Sequence, residues 1–147
     1  MTTDTDTDTA MPLPAAAPLR GRRILIAKPG LDGHDIGAKI IALTLRNAGA
    51  EVIYTGLRRS PEQIVRVAID EGVDAIGLSI LSGSHHELTR QVVDQLHAAG
   101  AHEIKVFVGG TIPAEDRATL QTLGVQGVFD SDMALQDVVD ALAGTFA

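Results

Sequence analysis

The 147-residue chain has no cysteine and no tryptophan, and aromatic residues make up 3% of it: Tyr54, Phe107, Phe129 and Phe146. Without cysteine there can be no disulfide, thiolate metal site or cysteine nucleophile, which suits a reducing, cytoplasmic setting. So few aromatics leave little material for base-stacking platforms, and the core must be aliphatic. Basic runs are also missing, and a formal net charge of −7 argues against a nucleic-acid partner, because nothing is placed to neutralise phosphates. No apolar segment approaches the roughly 20 residues that a membrane span requires.

What is present divides into a tail and one domain. Residues 1–21 are expected to be a disordered N-terminal tail and residues 22–147 the folded part. Thr2 to Thr9 is rich in alternating Thr and Asp, and Pro12, Pro14 and Pro18 follow among alanines. Such a segment has little to bury. The spacing of Asp4, Asp6 and Asp8 is that of a calcium loop's start, but Thr9 and Ala15 stand where that loop needs glycine and glutamate. The acidic start, with no apolar stretch after it, does not read as a signal peptide.

From residue 22 onward, short β-branched runs at 23–27, 51–55, 74–79, 104–108 and 126–129 alternate with helical patterns. The helices are expected at 36–48, 61–71, 86–99, 113–123 and 132–143. Ser60-Pro61 reads as an N-cap with proline in the first turn, and Gly49, Gly72, Gly100 and Gly124 sit where helices should stop. Repeated βα units predict a doubly wound, flavodoxin-like (Rossmann-like) α/β fold. Its five-stranded parallel sheet would have the order 2-1-3-4-5.

In such sheets ligands bind beyond the carboxyl ends of the strands, where the chain switches direction between strands 1 and 3. Three loops should meet there. The first, Lys28-Pro29-Gly30-Leu31-Asp32-Gly33-His34-Asp35-Ile36-Gly37, places a carboxylate two residues before an imidazole, an arrangement that fixes the tautomer of a metal-binding histidine. One histidine cannot hold a bare ion, but it can be an axial ligand to a metal already held by a macrocycle. Asp35 is the better-placed helix cap, which leaves Asp32 for His34, and Lys28 can reach Asp32. The second loop is Ser79-Ile80-Leu81-Ser82-Gly83-Ser84, and the third is expected to be a turn, Gly109-Gly110-Thr111. His85 and His86 are expected to begin the third helix on its solvent side, and His97 and His102 read as surface residues. Ser79 lacks the nucleophile elbow of a serine hydrolase.

Together, Asp32-x-His34-x-x-Gly37, Ser79-x-Leu81 and Gly109-Gly110 resemble the D-x-H-x-x-G, S-x-L and G-G signature of cobalamin-binding domains. The intervals match too, with 41 residues between Gly37 and Ser79 and 27 between Leu81 and Gly109. Residues 27–35 and 78–83 more narrowly resemble free-standing small subunits of acyl-CoA mutases of the isobutyryl-, 2-hydroxyisobutyryl- and methylmalonyl-CoA families. The resemblance implies adenosylcobalamin bound base-off, with His34 as lower axial cobalt ligand. Asp32 would bond His34, and Lys28 would bond Asp32. Ser79 would bind the displaced base, and Leu81 would pack on it. Gly109 and Gly110 would admit the nucleotide tail between the sheet and the first helix. Gly33, Asp35, Ile36, Gly37, Ile41, Ser82, Gly83 and Thr111 complete the expected cofactor-binding set.

It further implies an isomerase that is inactive alone, with radical rearrangement of an acyl-CoA taking place in a large partner subunit. Corrinoid methyl carriers and cobalamin-dependent regulatory modules share the signature. A phosphoacceptor receiver would need aspartate where Ser79 stands. One departure is Phe129-Asp130-Ser131-Asp132-Met133, where mutase domains often carry F-x-P-G-T.

Overall fold

Both faces of a parallel sheet must be covered, and the strands read as near-continuous apolar runs for that reason. In the computed structural model, which describes residues 17–28, 36–55, 59–80, 85–110, 112–130 and 133–146, the runs become five strands. These are β1 (Arg23–Ala27), β2 (Glu51–Tyr54), β3 (Ala75–Ile80), β4 (Lys105–Gly110) and β5 (Gly127–Asp130). They form a single parallel sheet of order β2-β1-β3-β4-β5, as expected.

Between them lie α1 (Ile36–Asn47), α2 (Pro61–Glu71), α3 (His85–Ala98), α4 (Arg117–Thr122) and α5 (Leu135–Phe146). Alternate side chains of each strand feed two cores. Leu25, Ile76, Leu78, Val106 and Val108 pack under α2, α3 and α4 with Ile64, Val92, Leu96 and Leu120. On the other face, Ile24, Ile26, Ala75, Phe107 and Phe129 meet Ala38, Ala42 and Leu45 of α1 and Val138, Val139 and Leu142 of α5.

Local chemistry sets the helix ends. The Ser60 hydroxyl accepts from the Gln63 amide at 3.1 Å, and the Ser60 amide donates to the Gln63 side chain at 2.9 Å. That capping box, with Pro61 in the first turn, starts α2. Gly72 ends it at φ 62°, and Gly49, Gly100 and Gly124 take positive φ after their helices as expected.

Three expectations are corrected. The helix expected at 113–123 begins as a 3-10 turn, Ala114–Asp116, before α4, because the Asp116 amide bonds back to the Pro113 carbonyl at 2.9 Å. α5 begins at Leu135 rather than 132, and the Met133 amide before it donates to the Asp130 carbonyl. Gly109 and Gly110 are not a turn but the last residues of β4, registered with Ser79 and Ile80 on one side and Phe129 and Asp130 on the other. Gly110 sits at φ 136°, where a Cβ would overlap the Ile80 carbonyl oxygen, so this end of the sheet closes only around glycine.

Packing also starts before residue 22. Leu19 is fully buried beneath α1, and its amide donates to the Ala48 carbonyl at 2.9 Å. Leu19→Ala should therefore cost about 2–4 kcal/mol, seen as a lower urea midpoint at unchanged slope. Gly110→Ala should cost about 3 kcal/mol or more, since both the positive φ and the backbone overlap must be relieved.

Candidate functional site

Side-chain alternation decides where space is left. On β3, Ala75, Gly77 and Ser79 point toward the α1 and α5 layer while Ile76, Leu78 and Ile80 fill the opposite core. On β4 the same face carries Phe107 and Gly109, with Phe129 beside them on β5. Small residues at 77 and 109 leave that face incompletely filled. A cavity of about 280 Å³ results between the sheet, α1 and α5. It reaches from Ile24, Leu45 and Leu142 deep in the layer to Ser79, Gly110 and Asp130 at the carboxyl ends of the strands.

Phe107 and Phe129 lie nearly parallel on its floor, with ring centroids 5.9 Å apart. A Cβ at Gly77 would come within 2.8 Å of the end of the Ile26 side chain, which would have to shift to admit it. At Gly37, in the first turn of α1, a Cβ would meet nothing among the described residues within 4 Å. Glycine in a helix ordinarily costs up to about 1 kcal/mol relative to alanine, yet here nothing among the described residues requires it sterically. The space above Gly37 belongs to the cavity. Ile40 and Leu135, 46% and 42% exposed, leave apolar surface at its rim. A largely apolar slot with a few polar groups at one end suits a flat or elongated ligand with a polar terminus.

Lys28 stands immediately after β1 and is 1% exposed. Its ammonium donates to the Ser79 backbone carbonyl at 3.1 Å, joining the carboxyl ends of β1 and β3. A buried ammonium is retained only where acceptors surround it, and the Ser79 carbonyl is one of them. Lys28 also fixes the next strand connection, because its carbonyl accepts the Arg59 amide at 3.2 Å. At the far corner, Arg117 at the start of α4 forms an ion pair with Asp130, partly screened by solvent. Strand alternation turns that carboxylate toward α4 while its strand end borders the cavity.

The structure thus gathers Gly37, Ile41, Ser79, Gly109 and Gly110 around one cavity. Ile36 begins α1. Asp32, Gly33, His34, Asp35, Leu81, Ser82, Gly83 and Thr111 lie outside the described residues. Sequence reasoning missed Gly77, Phe107 and Phe129 as lining residues. The two-residue spacing of Gly77 and Ser79 would have found the first, whereas the α5 contribution (Val138, Leu142) has no local signal. His86 is half-buried with its Nε2 enclosed, not on the solvent side. His97 and His102 are exposed, with ring centroids 4.8 Å apart. Among the described residues, no three histidine or acidic side chains gather as a metal site, and no helix is long and apolar enough to cross a membrane.

Known proteins resemble this chain in sequence and architecture. A family model for the B12 binding domain matches residues 22–138. The small subunit of 2-hydroxyisobutanoyl-CoA mutase from Aquincola tertiaricarbonis is 43% identical over 125 residues, covering 85% of this chain and 92% of its own. The pivalyl-CoA mutase small subunit of Xanthobacter autotrophicus is 39% identical over 123 residues, covering 84% of this chain and 82% of its own. Among solved structures, a cobalamin-binding protein from Desulfitobacterium hafniense superposes with a TM-score of 0.74 at 25% identity, over 87% of this chain and 60% of that one. With sequence, fold and small-subunit relatives in agreement over nearly the whole described region, this chain belongs to the B12-binding domain family.

Proposed function

We propose that this chain is the cobalamin-binding subunit of an adenosylcobalamin-dependent acyl-CoA mutase. It would work in the cytoplasm with a separate large subunit that holds the acyl-CoA. The observation that carries the reading is the apolar slot between the sheet and α1, bounded by the Gly37, Ser79 and Gly109 of the cobalamin signature. A backbone wall at Gly37 that could accept a side chain without collision, over a floor of stacked phenylalanines, fits a ligand tail lying in that space. The relatives at 43% and 39% identity are mutase small subunits, which favours a mutase over a methyl carrier.

In this reading His34 would hold the cobalt, and Asp32 would accept its second ring N–H, fixing the tautomer. Lys28, buried at the end of β1, would bond Asp32. Its bond to the Ser79 carbonyl also keeps the β3 end in place, where Ser79 lines the slot. When bound, adenosylcobalamin supplies one-electron chemistry for carbon-skeleton rearrangement. The chain's own work is to bind and orient, with substrate specificity residing in the partner.

An absorbance titration of the purified chain, alone and with a candidate large subunit, tests this. The wild type should give a base-off, His-on spectrum with adenosylcobalamin, and His34→Ala should lose it. Binding with an unchanged spectrum in that variant would sink the ligation. Gly37→Leu should keep the fold by circular dichroism yet weaken adenosylcobalamin at least about tenfold, roughly 1.4 kcal/mol. Cobinamide, which lacks the nucleotide tail, should bind that variant as it binds the wild type. Equal losses for both ligands would remove the tail from the slot.

A further inference from the structure

Among the described residues β2 is an edge of the sheet and pairs with β1 alone. Beside it runs a groove of about 440 Å³, bounded by Ile53, Tyr54 and Thr55 on the strand side and by Arg59, Gln63, Arg66 and Val67 on the other. Arg59, Gln63 and Arg66 are all exposed. The Arg59 Nε donates to the Thr55 carbonyl at 2.8 Å, which lays its guanidinium along the groove. Glu62 and Asp70 lie one turn on either side of Arg66, but among the described residues Arg66 forms no ion pair. Two cations therefore line an open sheet edge in a chain whose net charge is −7.

We propose that this groove receives the chain's own acidic N-terminal segment, Asp4 to Asp8. Charge favours it: Asp4, Asp6 and Asp8 alternate with threonine, and no lysine or arginine precedes Arg20. In an extended segment, a two-residue spacing sets the three carboxylates on one side, about 6.6 Å apart. Reach favours it too. Ala17 lies beside Gly49, two residues before β2 begins, so the segment emerges at the foot of the strand it would cover. The nine residues from Ala17 back to Asp8 can span about 30 Å. β2 itself rises only about 13 Å toward Thr55 and Arg59.

Each exposed ion pair is weak and screened by salt. The tether compensates by holding the segment at an effective concentration in the millimolar range. Docked there, an alternating Thr/Asp segment would shield the open edge from pairing with other strands and surround it with negative charge.

The absence of cysteine makes the test direct, because Thr5→Cys accepts a single nitroxide label. In isotope-labelled protein at about 10 mM ionic strength, where charges act over about 30 Å, the label should broaden the amide signals of Ile53, Arg59, Gln63 and Arg66. Signals of β5, at the opposite edge, should stay sharp. At about 1 M salt, where the screening length is about 3 Å, the groove signals should recover, and in Arg59→Ser/Arg66→Ser they should be sharp at either salt. No broadening, or equal broadening over both edges, overturns the proposal. So does broadening that arises only when spin-labelled protein without isotope is mixed with isotope-labelled protein, which would assign the groove to a second copy.

Discussion

The rest of the structure depends on a difference in filling between the two faces of one sheet. Every strand must bury both faces, because helices lie on each side. Large side chains meet that demand on the face under α2, α3 and α4, where Leu78, Ile80 and Val108 are almost wholly buried. The other face has Gly77 and Gly109 at the corresponding heights, and α1 adds Gly37 above them. Protein interiors are normally packed as densely as organic crystals, so an unfilled slot lined by stacked aromatics and glycines forgoes contacts that larger side chains would make. That packing deficit is what a ligand can recover.

Strand ends are held by a second, smaller constraint. A parallel sheet leaves its terminal residues without the next rung of hydrogen bonds, and here the Lys28 side chain spans that gap from β1 to β3. Glycine at 110 lets β4 run on past Ser79 to pair with Ile80 and Asp130, lengthening the wall of the slot on its far side. Rigid strand ends beneath mobile-length loops are the usual way in which α/β folds offer precise binding groups.

The exposed rim places the cofactor reading in a wider physical setting. Ile40, Leu43 and Leu135 remain substantially exposed, and two of these border the slot. Apolar surface at such an opening can be covered by ligand or by a neighbouring protein surface. A subunit that presents a cofactor to a partner needs both, and the two coverings would meet at the same edge of the sheet.

Local signals determined much of the chain. β-branched runs, the Ser60-Pro61 cap and the helix-ending glycines are short-range physics, and right-handed, short βα crossovers narrow the strand order to a few arrangements, of which 2-1-3-4-5 is the flavodoxin-like one. The signature residues Gly37, Ser79 and Gly109 were legible as neighbours because topology alone brings the ends of strands 1, 3 and 4 together. Tertiary structure decided what depends on packing across the sheet. The burial of Lys28, the inclusion of Leu19 in the core, the α5 wall of the slot and the glycine-limited pairing of β4 have no period in the sequence. They arise only when segments distant along the chain compete for the same volume. Periodicity can say which face of a strand is apolar. Only assembled neighbours decide whether that face is filled.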